Sequence, residues 1–362
     1  KGGLDDALRL LQEMEATHIP ITPTSVTYNL IMDALVRRGD LKSVKRAEEI
    51  LVKMEKQFEA GNEMVQPNGI SYNICINGFA KSGDPRAGEH AERLLKRMTV
   101  LSDKWDAAAL SPDIISFTSV IDSYANSATK EGAERAEKML GTMMSTNSSV
   151  SPNRVTFNSV LNAIAKGGAE GSAEKALAIL KQMETLYEEG NDDVRPDDVT
   201  YSSLFNVLAR SGEEDAAERA EVILNRLESL SEEGRGYVKP NAFCYSSVLN
   251  AWARSKKPDA PQRALELLNR MENMFQSGLV NAKPNSFCYN AVINAFAKSS
   301  FADKAKQSQN ILHRMLENYH SGSNRDCKPS VMTYSTVLNA CAYTTGTRDD
   351  RDEAFHIART CL

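Results

Sequence analysis

The segment Pro152 to Lys166, PNRVTFNSVLNAIAK, recurs along the chain and constrains its fold more than any other feature. Its near-copies start at Pro23, Pro67, Pro112, Pro152, Pro196, Pro240, Pro284 and Pro329, in steps of 44, 45, 40, 44, 44, 44 and 45 residues. Self-similarity at such a period marks an array whose repeats pack on their neighbours. The 362 residues would otherwise suggest two or three domains. The periodicity instead predicts a single array over residues 1–362. It has a partial repeat over 1–22, repeats starting near 25, 69, 114, 154, 198, 242 and 286, and a truncated repeat over 331–362.

Each repeat reads as two helices. Helix A follows the proline; in the first repeat Val26, Tyr28, Ile31 and Leu35 form its apolar stripe, and Thr24, Ser25 or Thr27 can cap it. A polar break such as Arg38-Gly39-Asp40 leads into helix B. Helix B carries a core triplet: Ala47, Leu51 and Met54, then Ala91, Leu95 and Met98, and so on to Ser308, Leu312 and Met315. Its other face mixes Glu, Lys and Arg, which is a solvated surface. Glycines after helix B (Gly61, Gly190, Gly234, Gly278, Gly322) suit helix C-caps. Leu4 to Ala16 is a lone amphipathic helix resembling a helix B. The chain therefore reads as a piece of a longer protein, with any targeting peptide outside it. A helix pair that cannot bury its own stripe must stack, so the expected fold is all-α, a right-handed α-solenoid superhelix of helix-turn-helix repeats.

Net charge is −5, which by itself argues against a nucleic-acid binder. The six cysteines form no C-x-x-C pair; they read as small buried thiols rather than disulfides or zinc ligands. The five histidines are scattered and surface-like, no H-x-E with P-C-x-x-C signature exists, and neither a catalytic site nor a cofactor is expected. No apolar run is long enough to span a membrane.

The sequence VTYNLIMDALVRRGD, followed by a helix B ending in KME and a proline before the next repeat, resembles the pentatricopeptide repeat family. The Trp, Leu-Gly and Tyr spacing of tetratricopeptide repeats is absent. The family's repeat is about 35 residues long. Here the extra residues fall between the helices and after the helix B methionine, where one added helical turn and a longer loop absorb them. The resemblance implies single-stranded RNA binding, one base per repeat, read by two or three side chains.

Seven columns of residues bear on that implication. All eight aromatic positions, Tyr28 to Tyr334, read as core between helices A and B. The position after each aromatic holds Asn29, Asn73, Thr118, Asn158, Ser202, Ser246, Asn290 and Ser335. These are poor helix-interior residues. They sit about three residues inside the expected helix start, where Thr or Ser two residues upstream already fits the cap; they are caps or, by the resemblance, base readers. Their partners after the next proline are Asn68, Asp113, Asn153, Asp197, Asn241, Asn285 and Ser330, which are turn residues or, again by resemblance, the second reader. An Asp only accepts hydrogen bonds and suits a base edge bearing N–H; an Asn can also donate to a ring nitrogen.

Two residues before each aromatic stand Val26, Ile70, Ile115, Val155, Val199, Phe243, Phe287 and Met332. They serve either helix packing or, as the family implies, sandwiching of the base. Eight residues beyond the reader stand Arg37, Lys81, Asn126, Lys166, Arg210, Arg254, Lys298 and Tyr343, six of them basic. Two helical turns separate each from its reader, so both share one face. They complement the helix dipole or contact phosphates. Between them runs an Asn/Asp column, Asp33 to Asn339, which braces neighbouring helices or orients readers. A small-residue column, Val36 to Ala342, lets A helices approach. A basic A-helix face answers the net-charge objection. With the family's polarity, the reader pairs imply a target near 5′-(C/U)UAUAAC-3′. The rival is a protein-binding scaffold of tetratricopeptide type. The resemblance also implies a mitochondrion or chloroplast, a role in RNA processing, stability, editing or translation, and company from other RNA-processing proteins.

Overall fold

The computed structural model describes residues 2–16, 22–145, 149–168, 171–232, 238–278 and 280–361. Among them every regular element is a helix. After α1 (Gly2–Glu15) come the pairs α2 (Ser25–Val36) and α3 (Leu41–Glu59), α4 (Gly69–Lys81) and α5 (Ala87–Trp105), α6 (Ile114–Ser127) and α7 (Lys130–Met143), and α8 (Arg154–Gly167) and α9 (Ser172–Glu188). They continue with α10 (Asp198–Ser211) and α11 (Ala216–Glu232), α12 (Ala242–Arg254) and α13 (Ala260–Gln276), α14 (Ser286–Lys298) and α15 (Lys304–His320), and α16 (Val331–Ala342) and α17 (Arg348–Cys361). The even-numbered helices are the A helices. The chain divides into two compact lobes. The first is Lys1–Gly168 with Thr185–Arg195; the second is Ala169–Glu184 with Pro196–Leu362. Within each lobe successive A helices pack side by side: α2, α4, α6 and α8 in the first, α10, α12, α14 and α16 in the second. This is the all-α repeat plan expected from the sequence.

Every member of the helix B triplets is buried, from Ala47, Leu51 and Met54 to Ser308, Leu312 and Met315. Each fully buried Leu or Met contributes about 1.5–3 kcal/mol of apolar transfer energy, and this is what holds a repeat to its neighbours. The small-residue column is buried from Val36 to Ala297, and only Ala342 departs from it. Close approach is visible at Gly78 of α4, where an added Cβ would come within 2.8 Å of Val36 on α2.

The A helices start at the first of the three offered caps, Thr24 in the first repeat. The N-cap is the residue after the proline, and the Ser or Thr before the aromatic is its third-position partner. Asn68, Asp113, Asn153 and Asp197 each accept the backbone N–H of that third residue, whose hydroxyl accepts the cap's N–H in return. Such a capping box satisfies two otherwise orphaned donors, and the cap is worth about 1 kcal/mol. The reader column thus lies five residues beyond the cap, too deep to cap anything. Val26, expected in the apolar stripe, points outward and is 64% exposed. Tyr28, Ile31, Met32, Leu35 and Val36 form the buried side instead.

The added length of these repeats has two uses. Helix B runs 19 residues in α3 and α5 and 17 in α13 and α15, against 14 in α7 of the 40-residue repeat. A short 3-10 turn then tucks one small or apolar side chain back into the core: Val65, Leu110, Val194, Ala282 or Cys327. Gly61, Gly190, Gly278 and Gly322 have positive φ at the end of helix B, which suits the expected C-caps. Gly234 lies outside the described residues.

A polar seal joins repeats at five of the six tyrosines of the aromatic column; the sixth, Tyr334, is only half-buried and follows a helix B whose Met315 is succeeded by Leu316. The buried Tyr28 hydroxyl donates to Glu15 Oε1 at 2.7 Å, Tyr72 to Glu55, Tyr201 to Glu184 at 3.2 Å, Tyr245 to Glu228 and Tyr289 to Glu272 at 2.5 Å. Each Glu is the last letter of the Met-Glu or Leu-Glu pair ending the preceding helix B core. Arg97 on Glu55 and Arg314 on Glu272 add a cation from the following helix B. Where the aromatic is Phe117 or Phe157, the corresponding position holds Thr99 or Met144. A buried Glu without a hydroxyl partner would be costly, and a buried hydroxyl without its Glu equally so.

Cys75, Cys244, Cys288 and Cys327 are buried free thiols, whereas Cys341 and Cys361, expected to be buried, are only half so. Burial pushes the Cys288 thiol up to about 11. His90 departs from the surface expectation by stacking on Phe79, ring centroids 4.9 Å apart.

Candidate nucleic-acid interface

Five residues beyond its cap, each reader sits on a different side of helix A from the core aromatic. Asn29, Asn73, Thr118, Asn158, Ser246 and Asn290 are half-buried, Ser335 is exposed, and Ser202 is buried at 7% exposure, deeper than an open reader requires. The amide oxygens of Asn29 and Asn290 are buried with no hydrogen-bond partner. An unpaired buried acceptor is costly and stands ready for an outside donor.

The apolar column faces solvent. Val26, Ile70, Ile115, Val155, Val199, Phe243, Phe287 and Met332 are all between 52% and 74% exposed. They make up half of the large apolar side chains standing exposed among the described residues. Such side chains, repeated once per A helix, contribute nothing to the core, and an exposed apolar surface of this kind marks an interaction site. Packing within the helix, the other reading of these residues, is excluded by their exposure.

Of the six cations, Arg37, Lys81, Arg210, Arg254 and Lys298 are exposed and Lys166 is half-buried. Arg37 is held by Asp33 at 2.7 Å within α2. Lys166 Nζ donates to Asn126 Oδ1 at 2.9 Å, and Asn126 Nδ2 donates to the carbonyl of Ala80 at 2.9 Å. Asn126 thus braces α4, α6 and α8, a part the sequence offered to the Asn/Asp column instead. In the second lobe, Lys256 and Lys257 line a cavity of about 220 Å³ together with Lys298. They precede the start of α13, off the helical spacing used to find the cations, and so escaped that reading.

One place in the first lobe brings the columns together. A groove of about 770 Å³ is lined by the readers Asn73, Asn68 and Asp113, the apolar Ile70 and Ile115, the cations Arg37 and Lys81, and Asp33 and Asn77 of the Asn/Asp column. Ala109, from the 3-10 turn after α5, adds a wall. Asn73 Nδ2 donates to Asp113 Oδ1 at 3.2 Å, so the two expected readers of one base already touch. Asp113 Oδ1 also accepts from the backbone N–H and the hydroxyl of Ser116, both at 2.8 Å, and that hydroxyl lies 2.7 Å from Asn73 Oδ1 as well. Partial burial pushes the Asp113 carboxyl up, but the Ser116 and Asn73 donors outweigh it and hold it below the usual carboxylate range. It is therefore a charged acceptor, and Oδ2 keeps its acceptor capacity.

The second lobe is built differently. Asn241 and Asn285 each spend one side-chain oxygen on two backbone N–H groups, those of Phe243 and Cys244, and of Phe287 and Cys288. The reader Ser202 lies 3.7 Å from Cys244 Sγ, and the reader Ser246 donates to the carbonyl of Phe243 at 2.9 Å. Among the described residues no helix is long and apolar enough to cross a membrane, and no cluster of three or more His, Cys, Asp or Glu is placed to hold a metal.

Comparison with known proteins bears on the repeats themselves. A family model described as a pentatricopeptide repeat domain matches residues 1–38 and 100–167, and one described as a PPR repeat matches 26–57, 70–101, 199–220 and 287–307. Together they span more than half of the chain. No curated protein matches it. Among solved structures, the crystal structure of the pentatricopeptide repeat protein PPR10 from maize aligns with 99% of this chain at 20% identity and a TM-score of 0.40. The chain spans 56% of the length of that structure.

Proposed function

The chain belongs to the pentatricopeptide repeat family, a family of helical-repeat RNA-binding proteins, and from that premise we propose that it binds single-stranded RNA in a sequence-specific manner, one base per repeat. The observation that carries this is the groove of the first lobe, where polar readers, exposed apolar side chains and cations line one surface. A single-stranded nucleic acid offers a flat π face, a hydrogen-bonding edge and a phosphate, and each has its counterpart there.

The Asn73 and Asp113 pair illustrates the chemistry. With one N–H of Asn73 committed to Asp113, the amide keeps a second N–H. Beside it stands a charged carboxylate oxygen. One donor and one acceptor complement the carbonyl and N3–H of uracil. Ile70 and Ile115, exposed on the same groove, would cover the faces of that base. Arg37 and Lys81 supply positive charge for the backbone. By the same logic the successive pairs favour 5′-(C/U)UAUAAC-3′.

Sequencing RNA that copurifies with the protein tests this reading, with enrichment of that pattern as the expected result. Six phosphate contacts would give a log–log salt slope of about −4. The exposed apolar column would also suit an amphipathic peptide, the scaffold alternative; a flat salt response would favour it. We place the protein in a mitochondrion or chloroplast, in RNA processing, stability, editing or translation, alongside other RNA-processing proteins, on family resemblance alone. No catalytic step enters this proposal. Transcript binding in a fractionated organelle tests the location.

A further inference from the structure

We propose that the cavity walled by Lys256, Lys257 and Lys298, in the second lobe, holds a backbone phosphate of the bound strand, and that Lys256 supplies a phosphate contact outside the six-cation column. The proposal rests on the RNA reading above and adds a site to it.

The cavity measures about 220 Å³ and lies among the ends of α12 and α14 and the loop before α13. Three lysines, with Ser255, Ser299 and Ser300, make up its polar wall, and no Asp or Glu lines it. Like charges around one cavity repel unless something offsets them. Lys257 is offset by Glu218 of α11, at 2.5 Å. Lys256 and Lys298 are exposed, and neither ammonium has a hydrogen bond or ion pair among the described residues. Two unspent ammonium groups beside the Ser300 hydroxyl suit a phosphate, a compact anion with several acceptor oxygens.

The fold does not ask for these lysines. Ser255 Oγ accepts the Lys257 N–H at 3.2 Å, as Ser82 accepts that of Asp84 and Ser211 that of Glu213, so the same turn is built in three repeats. Where this loop has Lys256 and Lys257, the others have Gly83 and Asp84, and Gly212 and Glu213. Those acids have structural partners: Asp84 lies 3.5 Å from His90, and Glu213 accepts the backbone N–H of Ala173 at 3.2 Å. The charge of the loop is therefore reversed with its turn unchanged. A helix dipole explains Lys298, in the last turn of α14, but not Lys256, which lies outside any helix.

The cavity also continues the proposed interface, since Lys298 belongs to the cation column. In the register used above, α12 and α14 face the sixth and seventh nucleotides, so the phosphate is the one that joins them.

The experiment measures dissociation constants for 5′-CUAUAAC-3′ across salt with wild type, Lys256→Gln and Glu218→Gln, and repeats them with a neutral methylphosphonate at each linkage in turn. Loss of one phosphate contact makes the log–log salt slope shallower by about 0.7 in Lys256→Gln. Glu218→Gln frees Lys257 on the cavity wall and steepens the slope, which a damaged fold would not do. The methylphosphonate between the sixth and seventh nucleotides weakens binding to wild type more than to Lys256→Gln, while the penalties at other linkages match. An unchanged slope in either variant, or an equal penalty at that linkage, overturns the proposal while specific RNA binding stands. Binding of inorganic pyrophosphate that depends on Lys256, with the RNA slope unchanged, assigns the cavity to a free phosphorylated ligand and likewise overturns it. Failure of the wild type to bind any oligonucleotide overturns the RNA reading and this inference with it.

Discussion

The two lobes carry the same ladder of positions and fill it differently. In the first, Asn73 and Asp113 are already bonded to each other and to Ser116, while the flanking apolar residues are the aliphatic Ile70 and Ile115. In the second, Ser202 and Ser246 turn to a thiol and to a backbone carbonyl, Asn241 and Asn285 cap their own helices twice over, and the flanking residues are Phe243 and Phe287. The cause is small. In α12 and α14 cysteine replaces Ser or Thr at the third helical position, a thiol is a weak hydrogen-bonding group, and the capping box does not close, whereas α10 and α16 keep Thr200 and Thr333 and close theirs. On the proposed RNA reading, the difference would separate base reading from base stacking along one chain, with hydrogen-bond discrimination around Asn73 and Asp113 and stacking around Phe243 and Phe287.

The largest expected effect tests that division. On the proposed reading, the nucleotide opposite Ser246 and Asn285 would fall between Phe243 and Phe287, which are 59% and 74% exposed. Base–aromatic stacking is worth about 1–3 kcal/mol per base. The double substitution Phe243→Ala and Phe287→Ala should therefore weaken binding far more than Ile70→Ala with Ile115→Ala, as read by fluorescence anisotropy. Comparable losses in the two lobes would erase the contrast.

Next in size is Asp113→Asn. Asn serves as the N-cap in four other repeats, so the helix start survives. The charged acceptor is lost, and hydrogen bonds to charged groups are worth about 1.5–3 kcal/mol. Preference at the second nucleotide should move from U toward C by about tenfold or more, while Asn241→Asp in the second lobe should shift preference less.

A stability pair comes third. Tyr289→Phe removes a hydroxyl that bonds Glu272 and Asn318 and should cost about 1–2 kcal/mol in urea unfolding. Phe117→Tyr in the first lobe should gain nothing, because Thr99 stands where its Glu would be.

The smallest effect is an expected constancy. Because Asp113 is held below the usual carboxylate range, it stays charged as pH falls from 7 to 5. Its contribution is present above the ordinary Asp value and is lost only as pH falls through its own depressed value. The U-over-C ratio should stay flat across that window, and a decline by pH 5 would mean that a different group titrates.

Much of this architecture was legible in the sequence because periodicity reports what a repeat must bury. The triplet Ala47, Leu51 and Met54 and its copies had to face the core, and do. Val26 misled because an apolar residue at helical spacing reads as core until its exposure is known. The cap stayed open among Thr24, Ser25 and Thr27 because both halves of a capping box carry side-chain oxygens, and only backbone geometry says that Thr24 ends the extended stretch of chain. The pairing of Tyr28, Tyr72, Tyr201, Tyr245 and Tyr289 with a Glu ending the preceding helix B was open to inspection, since Phe117 and Phe157 lack both hydroxyl and Glu. What no pattern could reveal was the contact of Asn73 with Ser116, more than 40 residues away in sequence and 2.7 Å away in space.

The most direct test of the central claim is competition between 5′-CUAUAAC-3′ and a scrambled oligonucleotide of equal composition for the wild-type protein. The ladder predicts that the ordered sequence displaces the scrambled one at well below equimolar amounts, and that the advantage persists as salt weakens both. Equal competition at every salt concentration would show that the columns do not read bases in this register.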